Sequence, residues 1–238
     1  VLLSKPAFLT GEQHIDGAWM KTDAWYRENK IDLMVDVSAH KLDPATKTVT
    51  LSNGDILGYE KLLLAIGTHS RPWHVPGRDK LGVHYLRTLD DAKGIIDDLR
   101  AGKKRAVMIG SACVTYEVMD ILRMKGIEVT GVMRENYFWE PALSKEEAEI
   151  IEKRLFERNV TLIRNTEVAE ILGDGEVEGV ILGDSGTVAC AGEGRTIACD
   201  MAFAFIGVVL PVEWLTSSGM KLERGIITNE YLETSLID

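Results

Sequence analysis

The chain is short of cysteine, of positive charge and of long apolar runs, and each shortage removes a class of protein. Three of its 238 residues are cysteine, Cys113, Cys190 and Cys199. No two of them stand at C-x-x-C or C-x4-C spacing. They read as buried free thiols of a reducing compartment, which points to the cytoplasm. Lys and Arg number 27 against 37 Asp and Glu, a net charge of −10 spread along the chain. Without a basic stripe, nucleic acid is a poor partner. No apolar run approaches the ~20 residues of a membrane span and no signal peptide is visible, so no membrane partner is expected. The five histidines lack metal-ligand spacing, and no metal site is expected. The chain opens on Val1 without a methionine and stops at Asp238 in mid-pattern, so both ends are expected to be cuts.

What is present is concentrated between Arg105 and Arg134. An apolar run, Ala106-Val-Met-Ile109, breaks at Gly110, and a helical pattern then runs to Gly126. A second apolar run begins at Ile127. This is the pattern of strand, tight turn, helix and parallel strand that presents a helix N-terminus to a dinucleotide pyrophosphate. The glycine fingerprint is altered to Gly110-Ser111-Ala112-x-x-Thr115. Gly110 keeps the sharp turn. Ala112 adds a methyl where the backbone approaches the phosphates, and Thr115 is β-branched where a third glycine would let the helix pack closely on the sheet. The unit predicts a dinucleotide fold, with two readings open: a working nucleotide site or a retained scaffold.

The end of the second strand bears on nucleotide choice. An acid about 20 residues beyond the glycines accepts the ribose 2′-hydroxyl of NAD, whereas an arginine there holds the 2′-phosphate of NADP. The chain has Arg134-Glu135. Arg134 is a candidate phosphate ligand and tips the reading slightly towards NADP, with Glu135 as its competitor and a solvated charge pair as the bland alternative.

Elsewhere, Thr22 predicts a helix cap and Ile31–Val35 a strand. Thr48–Leu51, the Asn53-Gly54 turn and Leu62–Gly67 predict a hairpin and a buried strand. Thr88-x-x-Asp91 and Ser144-x-x-Glu147 read as capping boxes. Residues 167–200 change to short strands broken at glycines, an antiparallel meander, before a buried strand at Met201–Gly207. Cys113 reads as a core residue, and Trp25, Trp139 and Trp214 as packing residues.

Several ordered segments resemble the FAD- and NAD(P)-dependent pyridine nucleotide-disulfide oxidoreductases, in the branch of ferredoxin and rubredoxin reductases and apoptosis-inducing-factor-like flavoproteins. Leu3-Ser4-Lys5 with Phe8-Leu9-Thr10-Gly11 is similar to that family's segment beside the flavin. Tyr59 to Ala65-Ile66-Gly67-Thr68 resembles its Ala-Thr-Gly strand. Pro76-Gly77 with Gly82 to Ala92 looks like its crossover, and Phe205-Ile-Gly207 to Pro211, with Gly225 and Leu232 to Ser235, like its return. The resemblance covers essentially the whole chain.

The resemblance implies an α/β fold of the Rossmann-like FAD/NAD(P)-binding type: a complete NAD-type domain with an antiparallel meander at 78–207, inserted in a partial FAD domain at 1–77 and 208–238. It implies an internal piece of a flavoprotein oxidoreductase, in which hydride passes from NAD(P)H to FAD and electrons pass on to an acceptor protein. A homodimer is compatible with it. The piece alone is expected to be inactive, because the family's three-glycine FAD cradle and its later Gly-Asp are not in it. The site residues carried over are Glu117 and Lys5 as catalytic positions. Gly110, Ser111, Ala112, Thr115, Arg134, Gly207, Ser4, Ala39, Ala65 and Gly67 are carried over as cofactor contacts. The stretch Ser4 to Gly11 has no cysteine, which disfavours dithiol chemistry. A non-catalytic nucleotide-binding or scaffold module is the competing reading.

Overall fold

The computed structural model describes residues 9–11, 19–184 and 195–236. The chain divides into two compact units. One comprises Ser70–Gly207 with the described residues before Lys21, and the other Lys21–His69 with Val208 onward.

The smaller unit begins with helix α1 (Asp23–Glu28), capped by the Thr22 hydroxyl, which accepts from the Trp25 N–H. Strands β1 (Ala39–Asp43), β2 (Thr48–Leu51) and β3 (Ile56–Gly58) form an antiparallel sheet in that order. Leu42, Val49 and Leu51 bury against Leu215 and Met220, the former from a 3-10 turn at Glu213–Ser218.

Two expectations fail in this unit. Ile31–Val35 is irregular and exposed along its length. Leu62–Gly67 is also outside any strand, and Leu63 is 89% exposed. Apolar side chains predict a strand by fitting a pleated, half-buried surface, but a strand exists only where a neighbour completes its ladder. Neither segment has that neighbour among the described residues.

The larger unit is built on a five-stranded parallel sheet. Its strands are β4 (Val83–His84), β5 (Arg105–Ile109), β6 (Glu128–Val132), β7 (Thr161–Ile163) and, after the meander, β11 (Met201–Ala204). Their spatial order is β4-β11-β5-β6-β7. Ala106–Ile109 and Met201–Ala204 are buried on both faces, as unbroken apolar strands of a covered parallel sheet should be. The meander β8 (Thr166–Leu172), β9 (Gly179–Asp184) and β10 (Thr196–Ala198) forms a separate antiparallel sheet, as its glycine-broken pattern predicts.

Residues 70–77 belong with this larger unit because they pack on the meander. The Ile171 N–H donates to the Pro76 carbonyl, and a Cβ on Gly77 would stand 2.3 Å from the Ile171 carbonyl oxygen.

Helix α2 (Leu89–Arg100) and helix α4 (Lys145–Glu157) open on the two predicted capping boxes, Thr88/Asp91 and Ser144/Glu147. Between them lies α3 (Cys113–Met124), which buries Val118, Met119 and Leu122. This is helical spacing, and each such side chain contributes ~1.5–3 kcal/mol as an upper figure. Space under α3 is made from the strand side: a Cβ on Gly131 of β6 would meet Met119 Cε at 2.6 Å. Close helix-to-sheet packing at this point is carried by a glycine of the strand, while Thr115 stands at the helix position where the fingerprint would have one.

Candidate functional site

Strand β5 ends at Ile109 and the chain turns at Gly110, whose φ is +115°. Two constraints demand glycine here. The dihedral is one that L side chains rarely adopt, and an added Cβ would lie 2.3 Å from the Phe205 carbonyl oxygen. Phe205 follows β11, the strand beside β5, so the turn is pressed against the next strand's carboxyl end. Gly207, also at positive φ (+100°), lies two residues further on, and its carbonyl accepts from the Arg71 N–H.

Helix α3 starts from this turn without a side-chain cap. Ala112 is its N-cap residue, and no side-chain oxygen among the described residues accepts from the first turn. That turn also contains no acid. The orphan N–H groups and the positive end of the helix dipole are left to whatever anion approaches. Thr115, three residues beyond Ala112, is fully buried, and its hydroxyl has no hydrogen-bond partner among the described residues.

The end of β6 supplies the other half of the site. The Ser111 hydroxyl donates to Glu135 Oε2 at 3.1 Å, tying the glycine turn to the adjacent strand's end. Glu135 Oε1 also receives Arg134 Nε at 3.4 Å, and Arg134 has Glu167 Oε1 4.0 Å from its other side. The Arg134 guanidinium therefore faces two carboxylates while remaining 69% exposed. Glu135 is the more enclosed of the pair, at 23%.

Gly110, Ser111, Ala112, Thr115, Arg134 and Gly207 are thus gathered outside the carboxyl ends of β5, β6 and β11, where open α/β sheets bind ligands. Glu117 lies one turn into α3 and is exposed. Cys113 is not a core residue: it is exposed at the first position of α3, because the helix register turns Thr115, Val118, Met119 and Leu122 to the core and Cys113 outward. Ala39, Ala65 and Gly67 lie in the smaller unit, with Ala39 opening β1. Ser4 and Lys5 lie outside the described residues. Sequence reasoning missed the Ser111–Glu135 tie and the presence of Glu167. The parallel order of β6 and β7, once known, would have placed Glu167 beside Arg134.

A cleft of about 910 Å³ runs along edge strand β4 and helix α2, with Gly82, Lys103 and Asp200 in its lining. On its wall, His84 Nε2 is 2.7 Å from Asp98, which also pairs with Lys103 at 3.0 Å. Burial pushes the His84 pKa below its ordinary 6.5, so the ring is neutral at neutral pH. The cleft's lining includes Gly82 and Gly102, both at φ +91°, and shares no residue with the Gly110 turn or the end of β6.

A parallel sheet with an uncapped helix over a glycine turn defines a dinucleotide-binding fold of the Rossmann type. The family is more particular: residues 4–238 match the model of the pyridine nucleotide-disulphide oxidoreductases, and the chain belongs to that family. It is 28% identical to the nitrite reductase [NAD(P)H] of Bacillus subtilis (strain 168), over 99% of this chain and 28% of that protein. It is 26% identical to the rubredoxin-NAD(+) reductase of Pseudomonas putida, over 98% of this chain and 58% of that protein. A ferredoxin reductase structure from Rhodopseudomonas palustris superposes with a TM-score of 0.88 at 24% identity, covering 98% of this chain and 55% of that one. The chain therefore spans between about a quarter and three-fifths of the length of these relatives.

The family depends on FAD and NAD(P)H. The two groups fit the described residues unequally. The larger unit has a glycine turn, a free helix terminus and a carboxylate at the end of the neighbouring strand, a set that fits a dinucleotide. In the smaller unit the described residues form no phosphate cradle: α1 has six residues, is capped by Thr22 and carries Asp23 in its first turn.

Proposed function

We propose that this chain carries the nicotinamide-nucleotide site of a flavoprotein oxidoreductase, taking NADH as hydride donor. The acceptor downstream is then a small electron-transfer protein, as the names of its relatives suggest for them. The observation that carries this reading is the uncapped N-terminus of α3 behind Gly110, beside a carboxylate tied to the same turn.

The residues divide the work. The N–H groups at the start of α3 hold the pyrophosphate, which the helix dipole favours. Glu135 accepts from the adenosine ribose hydroxyls and, being anionic, opposes a 2′-phosphate. Arg134 alone would favour NADP, but its guanidinium already faces Glu135 and Glu167. A phosphate binding there would have to displace those carboxylates and lie close to both. The bound nucleotide supplies the hydride, and Glu117, exposed one turn along α3, orients the nicotinamide end. The described residues form no cradle for flavin. That same observation favours a second reading, a nucleotide-binding module without turnover, which would bind NADH but never become flavin-loaded.

Calorimetric titration tests the proposal. NADH should bind more tightly than NADPH by about tenfold, the scale of one charge-assisted hydrogen bond, and Glu135→Gln should bring the two within about twofold. Absence of binding by either dinucleotide, or a preference that the substitution leaves untouched, would overturn it.

A further inference from the structure

Glu135 cannot choose between nucleotides unless its backbone is held, and it lies in the irregular segment after β6 rather than in regular structure. Two contacts hold that segment from opposite sides. Three residues beyond Glu135, the Phe138 N–H donates to Glu152 Oε1 at 2.9 Å. On the near side, the Asn165 N–H donates to the Glu135 carbonyl at 3.3 Å. Asn165 is the neighbour of Arg164, whose guanidinium donates to the other oxygen of Glu152. One carboxylate on α4 therefore connects both sides of the Glu135 backbone.

This arrangement is not explained by stability. Glu152 is only 7% exposed and sits between Ala148 and Leu155 on the buried face of α4. A buried ion pair costs desolvation that its attraction at best offsets, and apolar residues of similar volume would serve a core as well. What an apolar pair lacks is direction. Glu152 presents one oxygen to a main-chain N–H and the other to Arg164, which fixes the loop's path against β7. Phe138, fully buried, locks the same point from the core. Arg164 is itself steadied by the Phe156 ring, 5.9 Å away.

We propose that Glu152, with Arg164 as its partner, is a positioning residue for nucleotide choice: it holds the Arg134–Phe138 segment so that Glu135 meets the ribose hydroxyls and restrains Arg134. The proposal rests on the nucleotide site described above. Glu152→Gln keeps size and the acceptor for Phe138 but turns an amide NH2 towards the Arg164 guanidinium, donor against donor. Glu135 then loses its fixed place, NADH loses an acceptor, and NADPH loses a repulsion and gains a freer Arg134.

The test is calorimetric titration of the protein with NADH and with NADPH, in wild type, Glu152→Gln, Glu135→Ala and the double variant. Glu152→Gln should reduce the NADH-to-NADPH affinity ratio by about fivefold, within the range for changes along a packed network. In the Glu135→Ala background it should not change the ratio further. A purely structural role would weaken both nucleotides equally and leave the ratio alone; that result, or an equal drop in the Glu135→Ala background, would overturn the proposal. If Glu152→Gln does not fold, Arg164→Lys replaces it with the same two expectations. A wild type that binds neither dinucleotide would remove the nucleotide site itself, and the proposal with it.

Discussion

Helices α2, α3 and α4 belong to the parallel-sheet unit, and they begin in two different ways. Helices α2 and α4 each open on a complete capping box, with two acids in the first turn. Helix α3 opens on Ala112, with no side-chain cap and no acid. The same chain therefore supplies caps where a helix end is structural and withholds one where the helix follows Gly110 at the carboxyl end of β5. The difference teaches that α3 gives up a modest local stabilisation, about 1 kcal/mol for one cap, and keeps a positive, unsatisfied terminus for a ligand.

The strongest way to break the comparison is at the turn itself. Gly110→Ala puts a Cβ against the Phe205 carbonyl, at a φ that alanine does not favour. Backbone strain and overpacking together should cost about 3 kcal/mol and abolish NADH binding. Thermal unfolding and calorimetry on the same samples read both. A variant of unchanged stability and affinity would show that the turn is not the constrained cradle described here.

Next in size are the caps. Thr88→Ala and Ser144→Ala should each lower stability by about 1 kcal/mol and leave nucleotide affinity unchanged, because each hydroxyl caps its own helix by accepting from that helix's first turn. The Ser144 variant has a pH signature as well. The Ser144 N–H, and after it the Ser144 hydroxyl, hold the Glu147 carboxyl below its ordinary 4.5, and alanine keeps the first and removes the second. In the wild type this contribution is present above about 4.5 and is lost as pH falls through the lower folded value. The gap between wild type and Ser144→Ala should therefore narrow in acid, as urea unfolding at pH 7 and pH 3 would show. A gap that widens in acid, or a loss of nucleotide affinity in either variant, would erase the distinction between the two kinds of helix start.

Much of this was legible in the sequence. The β5-α3-β6 unit could be read because Gly110 and Gly126 punctuate apolar runs of the right lengths. The capping boxes could be read because their spacing is a local property of four residues. What failed or escaped depended on partners far away in sequence. Ile31–Val35 and Leu62–Gly67 have the composition of strands, but composition does not provide a neighbouring ladder. Cys113 looked like core because free thiols are buried by default, and only the helix register shows that it faces outward. Gly131 takes up close packing against α3 from the strand side, which no reading of the fingerprint alone would find. Glu152 is an ordinary acid in a helix until the fold brings the Phe138 N–H and Arg164 to its two oxygens.

The central claim is that α3 leaves its N-terminus uncapped so that an anion can bind there, and Ala112→Asp tests it most directly. Ala112 already has the extended conformation of a capping residue, with φ −116° and ψ −175°. The new carboxylate should cap the helix and raise stability by about 1 kcal/mol, while placing a negative charge where the pyrophosphate binds. The two effects should have opposite signs in one protein: a higher unfolding midpoint together with NADH affinity reduced at least about fivefold. A stabilised variant that binds NADH as tightly as the wild type would contradict it.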